Sequence, residues 1–428
     1  MKRNIFLLFL GFFSINVVAQ NSTSSPYSLG GLGDITFRGN AINRFMGGID
    51  VYSDSIHTNL NNPAANADLK LTTFAVGVNY RNTQLTSGET KENNTSAAVD
   101  YIAVAIPTKH FGFSFGVLPY SSVGYLLQSI ENEDTDSTVL NRYEGDGGVN
   151  KAFFSLGFRL FKGLKVGATA NYNFGQISTE SSRQEQNINF GTFISSQSSL
   201  SGLSFQFTGH WNIPIKDKFS IDLYGSLAPQ HKIRSLNEQV FFTRSTVNQS
   251  IGDFEEVDLE ARNLASVDLT IGDKIDIGGG IGKDKKWYLG GQYTQIQSGG
   301  YQNDFIQLNN VSYINGSRLA VGGYFLPNYS SITDYWKRIV YRFGARQEVS
   351  GVVVNGQSLE ETGISFGVSL PLGGFYSGSN VSAFSNMNIG VELGKRGTAS
   401  GNMIEENYWN IRLGLSLNDL WFIKRKYN

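Results

Sequence analysis

The chain has 428 residues with 35 basic and 36 acidic side chains, so no global basic field exists to draw nucleic acid. Its 49 glycines, 30 phenylalanines and 20 tyrosines stand against only 8 prolines and no cysteine, which excludes disulfides and thiolate metal sites. Beyond the N-terminus no apolar run reaches the roughly 20 residues that a membrane-spanning helix needs.

The chain opens Met1-Lys2-Arg3-Asn4, and Ile5 to Ala19 then reads IFLLFLGFFSINVVA. Positive charge ahead of about 15 apolar residues, closing on Val17-Val18-Ala19, is a signal-peptide pattern and is too short for a spanning helix. Residues 1–19 are therefore expected to be removed, leaving Gln20 first. An uncleaved anchor is the alternative. Residues 20–70 contain Gly30, Gly31, Gly33, Gly39, Gly47 and Gly48 without sustained alternation. Phe37, Phe45, Met46, Ile49, Val51 and Tyr52 give this stretch more apolar surface than a disordered tail carries, so it reads as a compact, irregular plug.

From residue 71 the pattern acquires period two, the signature of strands whose successive side chains face opposite sides. Phe111, Phe113, Phe115 and Val117 alternate with Gly112, Ser114 and Gly116. Leu164, Val166, Ala168, Ala170, Tyr172 and Phe174 alternate with Lys165, Gly167, Thr169, Asn171 and Asn173. Leu203, Phe205, Phe207 and Trp211 oppose Ser204, Gln206, Thr208 and His210, and Trp409, Ile411, Leu413, Leu415 and Leu417 oppose Asn410, Arg412, Gly414, Ser416 and Asn418. The spacing predicts strands near 71–81, 97–106, 110–120, 149–160, 164–175, 200–213, 219–229, 264–282, 287–297, 315–326, 338–349, 361–372, 385–395 and 406–417. The count is fourteen, an even number suited to a closed antiparallel transmembrane barrel over 71–428. The stretch 231–282 has room for a further break. Short connections carry lysine, at Lys109, Lys162, Lys216 and Lys283 to Lys286, whereas those near 82–96, 121–148, 176–199, 231–262 and 298–314 read as long polar outer loops.

Several motifs have competing readings. Gly112-Phe113-Ser114-Phe115-Gly116 and Gly363-Ile364-Ser365-Phe366-Gly367 match the nucleophile-elbow pattern, but each lies in a strand rather than at a strand-to-helix turn. Gly278-Gly279-Gly280-Ile281-Gly282 lacks the helix that a phosphate loop needs. His57, His110, His210 and His231 show no ligand spacing, so neither a metal nor a cofactor is expected. The acidic run Glu131 to Asp136 is read as a solvated loop rather than a calcium site. Strand 338–349 turns Arg338, Arg342, Arg346 and Glu348 to the lumen, and Glu392 and Arg412 join them by the same alternation. These arginines are expected to pair with Glu348, Glu392 and the plug acids Asp34, Asp50 or Asp54, holding the plug; receiving a ligand carboxylate is the alternative.

The plug carries Ser25-Pro26-Tyr27-Ser28-Leu29-Gly30-Gly31-Leu32-Gly33-Asp34, then Phe45-Met46-Gly47-Gly48, then Asn62-Pro63-Ala64. Together with Tyr143 to Asn150, Trp336-Lys337-Arg338, Gly394 to Thr398 and Trp421 to Lys426, this order resembles the FadL/TodX family of outer-membrane transporters across essentially the whole mature chain. The resemblance implies a fourteen-stranded outer-membrane barrel, a hatch built on Asn62, Pro63, Ala64, Gly47 and Gly48, and no enzymatic activity. It further implies diffusion of hydrophobic small molecules such as long-chain fatty acids, with membrane lipid as surroundings. The alternative is a non-transporting accessory partner of other outer-membrane proteins.

Overall fold

A computed structural model describes residues 23–35, 39–132, 138–306, 308, 310–372, 385–399 and 403–419. The proposed signal peptide, Phe37, most of the acidic run and the segment Trp421 to Lys426 lie outside these residues.

Period-two alternation does what it predicts. Fourteen strands follow in order: β1 (Thr72–Ser87), β2 (Thr90–Pro107), β3 (Phe111–Glu131), β4 (Val139–Phe161), β5 (Leu164–Glu185), β6 (Phe190–Pro214) and β7, in two segments (Phe219–Ala228 and His231–Ser245). Then come β8, also in two segments (Ser266–Ile271 and Lys274–Lys283), β9 (Trp287–Ile296), β10 (Gly316–Phe325), β11 (Val340–Val354), β12 (Gln357–Leu372), β13 (Ser385–Arg396) and β14 (Glu405–Asp419). Each pairs antiparallel with its sequence neighbour, and β14 closes on β1 from Asp419↔Thr72 to Glu405↔Thr86. The stretch 231–282 does contain extra breaks, plus a short strand at Ile251–Glu256, yet the barrel count is unchanged.

The register agrees with the sequence. Phe115, Leu203, Phe207, Ile411 and Leu413 face outward and are exposed, whereas Ser114, Thr208, Asn410, Arg412 and Ser416 face inward and are buried. Exposed large apolar residues occur on every strand, from Phe74 on β1 to Leu417 on β14. A closed antiparallel ladder pairs backbone groups strand to strand while its apolar girdle presents hydrocarbon to lipid, so the barrel is an outer-membrane protein. Among the described residues no helix is long and apolar enough to cross a membrane.

The polar outer connections are a correction. Most are strand rather than loop: β1 and β2 continue to a turn at Gly88-Glu89, and β6 alone runs 25 residues, against the roughly 9–11 that cross a bilayer. Hydrophobic alternation is required only where one face meets lipid. Above the membrane, Ser-, Thr- and Asn-rich segments keep their ladder without it, so strand ends read from alternation fall short.

Residues 23–71 precede β1 and contain little regular structure: a 3-10 turn (Pro26–Leu29), a two-residue strand (Asp34–Ile35), helix α1 (Ala41–Arg44) and a second 3-10 helix (Pro63–Asp68). Most of residues 40–51 and 57–66 are buried against the inner wall. Phe45, Met46, Ile49 and Val51 supply side chains that the wall itself lacks, packing on Ala75, Tyr101, Tyr224 and Tyr288.

Candidate functional site

The site is the contact between the N-terminal segment and the barrel wall, and glycine on the wall makes it possible. Asn40 caps α1 by accepting from Asn43 N at 2.9 Å, and Gly47 and Gly48, at φ 71° and 82°, end it in the left-handed region that only glycine enters freely. The backbone at Met46-Gly47 then lies on Gly322 of β10 and Gly344 of β11, which are register partners. A methyl on Gly344 would stand 2.7 Å from Gly47 Cα and nearer still to its nitrogen. The Phe45 ring fills the space over Gly367 and Gly390 in the same way. Gly47 N donates to Ser365 Oγ at 3.2 Å.

Asn62-Pro63-Ala64 repeats the arrangement on the other side. Pro63 opens a 3-10 helix whose backbone rests on Gly112, Gly157 and Gly167. Ala64 N donates to Thr208 Oγ1 at 3.1 Å, and Asn66 Nδ2 donates to Ser114 Oγ at 2.9 Å. Asn62 Nδ2 donates to Asp50 O at 3.2 Å, joining the two motifs within the segment. Both serines of the apparent nucleophile elbows, Ser114 and Ser365, therefore hold the segment in place. His210 of β6, fully buried, adds a joint: its Nδ1 lies 3.4 Å from Ser53 Oγ, and its Nε2 is 3.0 Å from Asp222 Oδ1.

Between the two glycine cradles runs a buried charge network. Arg44 of α1 reaches Glu392 Oε2 at 3.0 Å; Arg346 pairs with Glu361 at 2.6 Å and also with Glu392, and Arg412 Nε is 3.7 Å from Glu392 while its Nη1 binds Asp100. Tyr408 Oη donates to Glu361 at 2.6 Å. Asp34 pairs with Arg396 at 3.1 Å, and Ser25 Oγ donates to Glu406, which Arg396 and Arg81 also face. Asp50 has Arg318 at 4.0 Å and accepts from Gln292 Nε2 at 3.1 Å; burial pushes its carboxyl above the usual range against the pull of Arg318 and Lys274. The arrangement can bind and hold; buried paired charges cost several kcal/mol per ion to assemble, and removing one partner leaves an uncompensated charge.

Of the lumen residues expected from alternation, Arg346, Glu392 and Arg412 meet in this network, and Glu348 faces inward opposite Glu361. Arg342 bonds Ser369 on the neighbouring strand and also faces Tyr52 and Asp54 of the plug. One differs. Arg338 lies in a 3-10 turn (Tyr335–Arg338) before β11, its guanidinium over the Tyr335 ring, because the strand begins only at Val340. Among the plug acids Asp34 pairs with Arg396, Asp50 faces Arg318, and Asp54 has His57 at 2.7 Å with Arg342 also facing it. Arg396, Arg44, Glu361, Glu406 and His210 were not legible as site residues, since most of their partners lie far away in sequence.

The wall has one seam among the described residues. β2 and β3 pair only from Ile102↔Val117 to Pro107↔Gly112, and above this Asp34–Ile35 pairs with Ser122 and Ser121 of β3 instead. Behind the seam lies a cavity of about 30 Å³, lined by Arg44, Arg81, Arg412, Asp34, Asp100 and Asn79 among others. That volume suits a water or two in a polar setting, not a hydrocarbon. Among the described residues no three His, Asp or Glu side chains gather as a metal site.

The family model described as BamG matches residues 1–428. Among solved structures, the chain is similar to the CymD monoaromatic hydrocarbon channel at 9% identity and TM-score 0.54, covering 91% of this chain and 98% of that one. It is similar to a Pseudomonas aeruginosa FadL homologue at 11% identity and TM-score 0.55, with 90% and 99% covered. The Pseudomonas putida toluene transporter TodX gives 12% identity, TM-score 0.55, and 91% and 100% covered. At these identities the likeness establishes a FadL-type barrel fold. No curated protein matches.

Proposed function

We propose that this chain, which belongs to the BamG family, works as a sealed outer-membrane barrel: a non-enzymatic accessory subunit to other outer-membrane proteins rather than an open conduit. In this reading residues 1–19 are the signal peptide, residues 20–70 are the hatch, and residues 71–428 are the barrel. The observation that carries it is the buried ion-pair network between the N-terminal segment and the wall. Where the wall parts between β2 and β3, an apolar molecule would meet Arg44, Arg81, Arg412, Asp34 and Asp100, none of which it can replace as a partner.

The second reading is passive movement of a hydrophobic molecule, with long-chain fatty acids as the finer expectation. The fold it shares with CymD and TodX, whose names specify a monoaromatic hydrocarbon and toluene, supports it. It requires the hatch to leave its cradles. Gentle extraction from the native outer membrane, followed by sizing and lipid analysis, separates the two. A defined complex of fixed stoichiometry with no lipid inside the barrel is the expected result. A solitary barrel carrying one apolar ligand per chain would overturn it in favour of transport.

A further inference from the structure

The near-zero net charge hides an axial separation. At the barrel end that holds Thr72 and Asp419, each of the five described connections carries lysine at or beside it: Lys109; Lys162; Lys216 and Lys218; Lys283, Lys285 and Lys286; and Lys337 beside Arg338. Against them stand only Asp217, Asp284 and Asp334. Among the described residues Lys337 alone of these lysines forms an ion pair, with Asp334 at 2.6 Å. At the opposite rim the connection between β7 and β8 holds Asp253, Glu255, Glu256, Asp258 and Glu260 against Arg262. The lysine rim also exposes apolar groups: Phe161 is 60% exposed, Trp336 72% and Ile332 82%. Lys283 Nζ lies 4.9 Å from the Phe219 ring centre and Lys285 Nζ 4.5 Å from that of Tyr329. Ammonium groups set beside aromatic rings at the edge of the barrel are the company that side chains keep at a lipid–water boundary.

We infer that the short-turn rim is a binding annulus for anionic phospholipid headgroups of the leaflet that faces the periplasm, where short turns of such barrels lie. The lysines favour lipid over an acidic protein by their distribution. They recur at every second strand around the barrel, whereas a protein would engage one side and leave the rest without purpose. The full-length protein reconstituted in phosphatidylcholine bilayers, with trace spin-labelled phosphatidylglycerol or phosphatidylcholine, reports the lipid in contact with the barrel. Wild type is expected to prefer phosphatidylglycerol by about fivefold at low salt, the factor that a lysine near an anionic surface supplies. The preference should fall toward parity in 1 M salt, where the screening length is about 3 Å. The variant K109Q/K162Q/K216Q/K218Q/K283Q/K285Q/K286Q/K337Q/R338Q, its folding checked by heat-modifiable gel mobility, should show no preference. Equal association of the two lipids with wild type overturns the inference, as does a preference that persists in high salt or in the variant.

Discussion

If the two glycine cradles hold the N-terminal segment, a single methyl should loosen it. Gly344 is the sharpest place to ask, because Gly322 stands opposite on β10 and the Met46-Gly47 backbone lies against both. An alanine Cβ there would sit 2.7 Å from Gly47 Cα, where ordinary contact begins near 3.4 Å. Backbone bounds it on each side, so no side chain can rotate away, and overpacking of this kind costs about 1–3 kcal/mol. The cost falls on docking, since the barrel ladder is untouched. At about 1.4 kcal/mol per tenfold, the undocked population of Gly344→Ala should rise by roughly 5–150-fold. Trypsin cleavage at the buried Arg44 in the folded barrel reports it, because proteolysis tracks the open population when reclosing is fast. Gly225→Ala is the control: no atom lies within 4 Å of its new methyl. If Gly344→Ala is cleaved no faster than Gly225→Ala, the cradle is not what seats the segment.

Other consequences follow from the same contacts. Arg396→Ala removes the 3.1 Å partner of Asp34 and should weaken docking by about 3–5 kcal/mol, because buried carboxylates are left uncompensated; hydrogen exchange over residues 23–35 checks it, and unchanged protection refutes it. Arg342→Ala removes a guanidinium that faces Tyr52 and Asp54 of the segment as well as Ser369 of the wall, so it should loosen the segment around residues 52–57; hydrogen exchange there checks it, and unchanged protection refutes it. Leu413→Arg, on the lipid face, should destabilise the barrel by about 2–4 kcal/mol near the bilayer midplane, whereas Ser416→Asn, on the inner face, should be better tolerated; equal loss of heat-modifiable mobility would show the register to be wrong. Deleting residues 20–66 should leave insertion intact, because the β14–β1 ladder closes without them, and should raise single-channel conductance in planar bilayers; a truncated barrel that inserts but conducts no more than the intact chain would count against a hatch.

Legibility in the sequence depended on what each residue had to satisfy. Leu413 and Ser416 could be placed because a strand in lipid has no choice of face. Gly47, Gly48 and Asn62-Pro63-Ala64 stood out because their backbone restrictions are written in residue type. By contrast, Ser114 and Ser365, set aside as nucleophiles because each lies in a strand, gave no sign that Asn66 Nδ2 and Gly47 N of a distant segment would donate to them. The outer strand extensions were missed because hydrogen-bonded ladders in water impose no hydropathy pattern.

By itself, then, the sequence determined an antiparallel barrel of fourteen strands and its facing. Those follow from period two, the apolar girdle and the lysine-bearing turns, all local properties imposed by lipid on one side of each strand. What only the tertiary structure decided is how the lumen is filled. Arg346 meets Glu392, Asp34 meets Arg396 and Arg44 meets Glu392 across separations of up to hundreds of residues. Charge pairing is set by distance in space, and inside a closed barrel every inward residue is a candidate partner until the N-terminal segment takes its seat.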